Sequence, residues 1–336
     1  MISGKFLKKI IIISAAMFCM ACITPLRLPA KESNSERQIR VVAAIYPVYD
    51  WVLNIIGDNP GNIKTDLLIK DGTDMHSFQP SVSDIMTISS CDMLIYVGGE
   101  SDGWIDDAAS QAINKDIVLV RLMDELGGAA LEEDPADFIS GNPAGHDNSG
   151  NEDHEETELD EHVWLSLKNA VTLCESIADA LAETDPDNGE YYSSNAESYI
   201  SRLRNLDSEY QRAVDQSEVK TLVVADRFPF RYLVEDYGLD YFAAFSGCSA
   251  ETEASFETII FLCDKVNELH LKNILVIDGS DERLARTIVQ NTQSKDQNIL
   301  MLDSMQSVTQ SRIDEGAAYM GIMENNLEVL RSALSE

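Results

Sequence analysis

Apolar and polar positions along this chain fall into two periods, and the change of period marks out its elements. Residues 40–46 carry the unbroken run Val41-Val42-Ala43-Ala44-Ile45, a pattern that fits a strand covered on both faces. Pro47 follows, and residues 48–56 then read as a helix closed by Gly57. Apolar runs at 65–69, 93–97 and 117–121 predict three further strands. Ser81 and the Ser83-Asp84 pair are cap residues for a helix through Ser90, and a helical pattern over 166–183 closes this half. Strands alternating with helices predict parallel βαβ units, in which the loops at the strand C-terminal ends gather the ligand site. Residues 74–78 lie in such a loop.

Residues 187–217 break that rhythm. Tyr192, Tyr199, Leu203, Leu206, Tyr210 and Val214, with Ala196 and Ala213 between them, form one stripe of a single long helix, and Asp185-Pro186-Asp187 supplies its start. At 1.5 Å per residue such a helix is roughly 45 Å long, suited to bridging two lobes. Beyond it, strands at 221–225, 241–245, 273–277 and 299–302 alternate with helices at 231–237, 256–268, 281–293 and 313–334. The expected fold is therefore α/β, with two parallel-sheet lobes at 40–184 and 219–336. Each has its own core, and a linking helix at 185–218 joins them.

The first 22 residues depart from both periods. Lys5, Lys8 and Lys9 precede an apolar stretch at 10–20 that only Ser14 interrupts, the order of an export signal and too short for a comfortable membrane span. Its end, Ala21-Cys22, is similar to a bacterial lipoprotein processing site. Cys22 is then the lipid-bearing first residue of the mature chain and 23–39 a tether; an ordinary cleaved signal is the alternative. No later segment is long and apolar enough to cross a membrane. The formal net charge of −33 would repel nucleic acid and favour cations. Of the six cysteines, Cys91, Cys174, Cys248 and Cys263 lie beyond the signal and show no CxxC pairing. The apolar neighbours of Cys174 and Cys263 place them in the core.

Charge and composition leave the histidines as the chemistry. There are five, and His76, His146, His154 and His162 all fall in one stretch of the first half. A neutral imidazole is the commonest protein ligand for a metal such as zinc. His76 sits in Asp71-Gly72-Thr73-Asp74-Met75-His76-Ser77-Phe78, and His162 in Asp160-Glu161-His162-Val163-Trp164-Leu165-Ser166. Between them, residues 131–161 hold twelve Asp or Glu and no Lys or Arg, the composition of a solvated loop. His146 and His154 within it fit either transient zinc binding or a plain acidic linker. His270, near a helix C-terminus, reads as a surface residue.

Over roughly residues 40–336 the chain resembles the zinc- and manganese-binding lipoproteins of bacterial metal ABC importers. The resemblance rests on the His76 loop after Asp71-Gly72, on Asp160-x-His162-x-Trp164-x-Ser166, on the acidic histidine-bearing loop and on the long linking helix. The stretch Ser249-Ala-Glu251-Thr-Glu253-Ala-Ser255 adds to it, without a metal role. It implies two α/β lobes joined by a rigid helix, with one metal in the cleft between them held by four side chains, two from each lobe. His76 and His162 match the first two ligands, and Asp160 an organiser of the loop or acceptor for an imidazole N–H. Counting back from Tyr237-Gly238-Leu239, the third position is Arg227, whose guanidinium has no lone pair to give a cation. Adjacent Asp226 is the candidate in its place, and it fits equally a structural ion pair with Arg227 or Arg231. Arg227 itself is expected to turn away toward a surface acid. Asp278 matches the fourth ligand, with Asp281 as the fallback.

The resemblance further implies an extracytoplasmic solute-binding protein, lipid-anchored to the outer face of the cytoplasmic membrane. It would act as a monomer that captures Zn2+, with Mn2+ also possible, and delivers it to a permease and its ATPase. A metal-dependent adhesin or surface metal buffer is the alternative on the same fold. A zinc enzyme is disfavoured, because no HExxH and no Ser/His/Asp arrangement accompanies the histidines.

Overall fold

Eight strands form two four-stranded sheets, all of them parallel, in a computed structural model that describes residues 38–58, 62–133, 159–247 and 254–335. In the first, β1 (Ile39–Ala43), β2 (Ile63–Leu67), β3 (Met93–Tyr96) and β4 (Val118–Arg121) lie in the order β2-β1-β3-β4. In the second, β5 (Thr221–Phe228), β6 (Asp240–Ser246), β7 (Asn273–Ile277) and β8 (Asn298–Leu302) lie in the order β6-β5-β7-β8. Both orders reverse direction beside the first strand, and the crevice outside the strand ends at such a switch is where α/β sheets bind ligands. Among the described residues no helix is long and apolar enough to cross a membrane. Cys22, residues 23–37 of the tether, Cys248, His146, His154 and residues 249–253 lie outside the described residues, while Ile39, expected in the tether, opens β1.

Local chemistry accounts for most of the helices. Pro47 opens α1 (Tyr46–Ile56), and Gly57, at φ 61°, closes it. A capping box between Ser81 and Asp84 starts α2 (Val82–Ser89). The short α3 (Trp104–Ser110) and α4 (Leu122–Leu126) cover the β3–β4 side. Ser166 accepts from the Asn169 N–H at the start of α5 (Leu167–Thr184).

The long helix α6 (Gly189–Gln216) spans 28 residues, about 42 Å at 1.5 Å each, after a separate 3-10 turn at Pro186–Asn188. Its buried stripe is the expected one with Ile200 added and Ala213 only half-buried. The helix grips both lobes. Asn195 donates to the Ile55 carbonyl at 3.0 Å, and the Tyr210 hydroxyl donates to Met323 O at 2.6 Å.

The C-terminal lobe adds α7 (Arg231–Tyr237), α8 (Phe256–Glu268), α9 (Arg283–Asn291), α10 (Gln310–Asp314) and α11 (Tyr319–Ala333). One long closing helix was expected here, but Gly316, at φ 92°, divides it. The break lets α11 turn Tyr319 inward to meet Trp51 edge-on at 5.1 Å.

Two lobes with separate cores were also expected. Instead, one buried cluster runs from Val41 and Trp51 through Trp164 and Tyr210 to Phe228 and Tyr319, and among the described residues only the outer face of the second sheet has a core of its own. Each large apolar side chain buried in this shared core stabilises the assembly by roughly 1.5–3 kcal/mol. The described residues accordingly form one compact unit. Cys91, Cys174 and Cys263 are buried free thiols.

Candidate metal centre

The His76 loop begins at a tight turn after β2. Asp71 and Gly72 both have positive φ, 59° and 75°, which reverses the chain within two residues. Asp74 then caps a one-turn 3-10 helix, Met75–Ser77, its Oδ1 accepting the His76 N–H at 3.1 Å. The His162 loop is held by its own acid. Asp160 Oδ1 accepts both the His162 N–H at 2.8 Å and the ring Nδ1–H at 2.9 Å. Tyr232 fastens the backbone at the same point, donating to Asp160 O at 2.8 Å and accepting from the Leu131 N–H at 3.1 Å. The last residues of the acidic stretch are therefore not solvated as expected, because Asp160 and Glu161 are both buried beneath that clasp.

These two loops bring the imidazoles together. His76 Nε2 lies 3.1 Å from His162 Nε2, with the ring centroids 5.1 Å apart. Asp160 takes the His162 Nδ1–H. His76 Nδ1 faces Ser101 Oγ at 2.8 Å and the buried Glu161 carboxylate at 3.4 Å. With Nδ1 of each ring turned to an oxygen acceptor, the two Nε2 lone pairs face each other. Burial, and then the His162 ring beside it, hold the His76 pKa well below the ordinary imidazole range, so the ring is neutral at pH 7. Glycine is required behind the pair: a Cβ on Gly247 would come within 3.0 Å of His162 Cε1 and 2.9 Å of Phe228 O.

Three residues that sequence reasoning passed over complete the surroundings. Glu161 Oε1 accepts the Ser101 N–H at 2.7 Å, while its Oε2 is buried without a hydrogen bond. Gln306, in the loop after β8, places its amide Nε2 2.9 Å from His162 Nε2 and leaves its Oε1 buried and unbonded. Only the rule that parallel-sheet sites gather at strand C-terminal ends pointed toward that loop.

The two expected carboxylates of the second lobe lie on the wall of an open cleft of about 850 Å³, which Asp74, Gln306 and Arg227 also line. Asp278 Oδ1 accepts from Ser304 N and Ser304 Oγ, both at 2.7 Å, and its Oδ2 accepts from Ser307 Oγ at 2.9 Å. Asp226 lies in a bulge of β5, where the register shifts between Val224 and Arg227, and its Oδ1 accepts the Arg227 N–H at 2.9 Å. The fallback Asp281 is exposed and paired with Arg283. Among the described residues no set of three His, Cys, Asp or Glu side chains stands within ligating reach of one another. Arg227 differs from expectation. It pairs with an acid, but its guanidinium stays in the cleft and reaches Asp74 of the His76 loop at 3.0 Å.

A family model described as the periplasmic component A of zinc-uptake complexes, ZnuA, matches residues 41–333. The chain belongs to the ZnuA family. It is 28% identical over 305 residues to the zinc-binding protein AdcA of Streptococcus pyogenes serotype M6, covering 90% of this chain but 57% of that protein. It is 25% identical over 333 residues to the high-affinity zinc uptake system protein ZnuA of Bacillus subtilis, covering 99% of this chain and 97% of the relative. The Zn(II)-bound ZnuA-like domain of Streptococcus pneumoniae AdcA superposes with a TM-score of 0.69 at 26% identity, covering 89% of this chain and all of that domain. This ZnuA-family fold, two parallel-sheet lobes with one long helix, is the one expected from the sequence.

Proposed function

We propose that this chain is the extracytoplasmic zinc-binding component of an ABC importer, capturing Zn2+ on His76 and His162 and passing it to a membrane permease with its ATPase. The observation that carries this reading is the 3.1 Å approach of two Nε2 atoms whose opposite ring nitrogens are both directed to oxygen acceptors. Two lone pairs at that distance repel one another. A cation between them converts the repulsion into two bonds, and at Zn–N lengths of about 2.05 Å a tetrahedral zinc holds its ligand nitrogens about 3.3 Å apart.

Asp160 at His162, and Ser101 with Glu161 behind it at His76, orient the rings so that both Nε2 atoms face the cation. A dication with two neutral ligands needs anionic partners, and Asp278 and Asp226 on the cleft wall are the carboxylates we assign to that part. Imidazole ligation favours zinc over manganese. The strongly negative chain draws cations toward the cleft, and Cys22, carrying lipid, would hold the protein at the outer face of the cytoplasmic membrane as a monomer.

Isothermal titration with Zn2+ in metal-free buffer tests the reading. The parent is expected to bind one equivalent, and His76→Ala and His162→Ala to lose at least a hundredfold in affinity. Parent-like affinity in either variant would remove the site.

A further inference from the structure

The geometry points to Gln306 as a direct ligand of the bound cation, through its side-chain carbonyl oxygen. The inference rests on the zinc reading of the His76–His162 pair and deepens it by naming a neutral oxygen donor beside the candidate acids Asp226 and Asp278.

Gln306 is nine-tenths buried, and its amide is the group in contact with the His162 lone pair on which that reading depends. In the arrangement shown, Nε2–H donates to His162 Nε2 and Oε1 is left without a partner. A buried amide oxygen with no donor is costly, so this half-satisfied state is one the protein has reason to leave. The torsion that carries the amide is broad and roughly two-fold, and a half-turn about it exchanges Nε2 and Oε1. After the exchange, Oε1 occupies the position 2.9 Å from His162 Nε2, a separation that ligands of one metal commonly show. The same side chain thus satisfies the His162 lone pair when the site is empty and gives an oxygen to the cation when it is full.

The loop that presents Gln306 is fixed well enough for this task. Asp278 ties down Ser304 through both its N–H and its hydroxyl, and Ser307 through its hydroxyl, gripping the loop on either side of Gln306. Trp164, two residues after His162, donates its indole N–H to Ser304 O at 2.9 Å. The His162 loop and the Gln306 loop are therefore coupled directly. Zinc accepts four and at times five ligands, so Gln306 is compatible with one or both of the cleft carboxylates. Asp278 positions Gln306 whether or not it also reaches the metal.

The test compares Gln306→Leu, which keeps bulk and removes the donor atom, with Gln306→Glu, which replaces the neutral oxygen by an anionic one. Zn2+ affinity is measured by chelator competition, the visible spectrum is recorded with Co2+ in place of zinc, and His162→Ala is carried in parallel. Ligation predicts that Gln306→Leu weakens zinc binding at least tenfold, that Gln306→Glu binds as tightly as the parent or more so, and that both shift the Co2+ bands. Affinity within twofold of the parent in Gln306→Leu, with unchanged Co2+ bands, overturns the proposal. So does an equal loss in both Gln306 variants, which would mark a packing role. If His162→Ala also binds normally, the zinc reading of the site fails as well, and the two failures are thereby distinguished.

Discussion

The Arg227 guanidinium, at the end of β5 in the second lobe, lies 3.0 Å from the Asp74 carboxylate, whose other oxygen caps the His76 turn in the first. The pair is part-buried, so its attraction is stronger than that of an exposed ion pair and weaker than that of a dry one. It also sets a fixed positive charge beside the place where a dication would bind.

Those two effects of Arg227 oppose each other, and Arg227→Ala separates them. Losing the ion pair should lower the unfolding free energy of the metal-free protein by about 1 kcal/mol. Losing the positive charge should tighten Zn2+ binding several-fold. Denaturant titration of the metal-free protein and zinc titration of the same sample give both numbers. Weaker zinc binding in the variant would mean that the latch matters more than the charge.

Asp160 accepts from the backbone and the ring of the same histidine. Removing that carboxylate in Asp160→Ala frees the His162 ring to turn and to change tautomer. A loss of 10- to 100-fold in zinc affinity is expected, typical of an acceptor behind a metal-binding imidazole. The variant should still bind one equivalent, because both ring nitrogens that face the cation remain, and titration calorimetry reads affinity and stoichiometry together.

Much of the fold was legible in the sequence because local signals and global packing agree there. Gly238 in the left-handed conformation ends α7, and the apolar run of β7 is buried throughout, each as the residues imply. Where signals conflict, local pattern and tertiary structure part. The second strand begins at Ile63 rather than at residue 65, because pairing with Ile39 sets its register. The helix Trp104–Ser110 shows no helical period in the sequence, because its seven residues bury only Ile105 and Ala108. The histidine pair was legible because imidazole is rare in this chain and each ring sits in a distinctive context. Glu161 and Gln306 were not. One ends a run with the composition of a solvated acidic loop, and the other lies 144 residues from the ring that it touches, with no spacing rule to join them.

Asp50 offers a test of the shared core through pH. It lies beneath α6, accepting from Asn54 Nδ2 at 3.0 Å and from the Tyr199 hydroxyl at 3.4 Å, and burial raises its pKa from 3.8 to about 6. The folded protein therefore keeps a proton that the unfolded chain releases between about pH 4 and 6. The stability that Asp50 contributes falls as pH rises through that window, by about 3 kcal/mol in all. Asp50→Asn lacks this dependence, so its stability relative to the parent should rise between pH 4 and 7.5 by up to that amount. Urea denaturation of both proteins at the two pH values reads the difference, and parallel pH profiles would place Asp50 in contact with water.

The central claim is that one zinc ion sits between His76 and His162. Anomalous diffraction at the zinc edge, from crystals of the zinc-loaded protein, tests it most directly. The account predicts a single strong peak in the cleft, about 2.0–2.1 Å from Nε2 of both rings. A peak bound to only one of the two imidazoles, or one centred elsewhere while both rings keep their present contact, would contradict it.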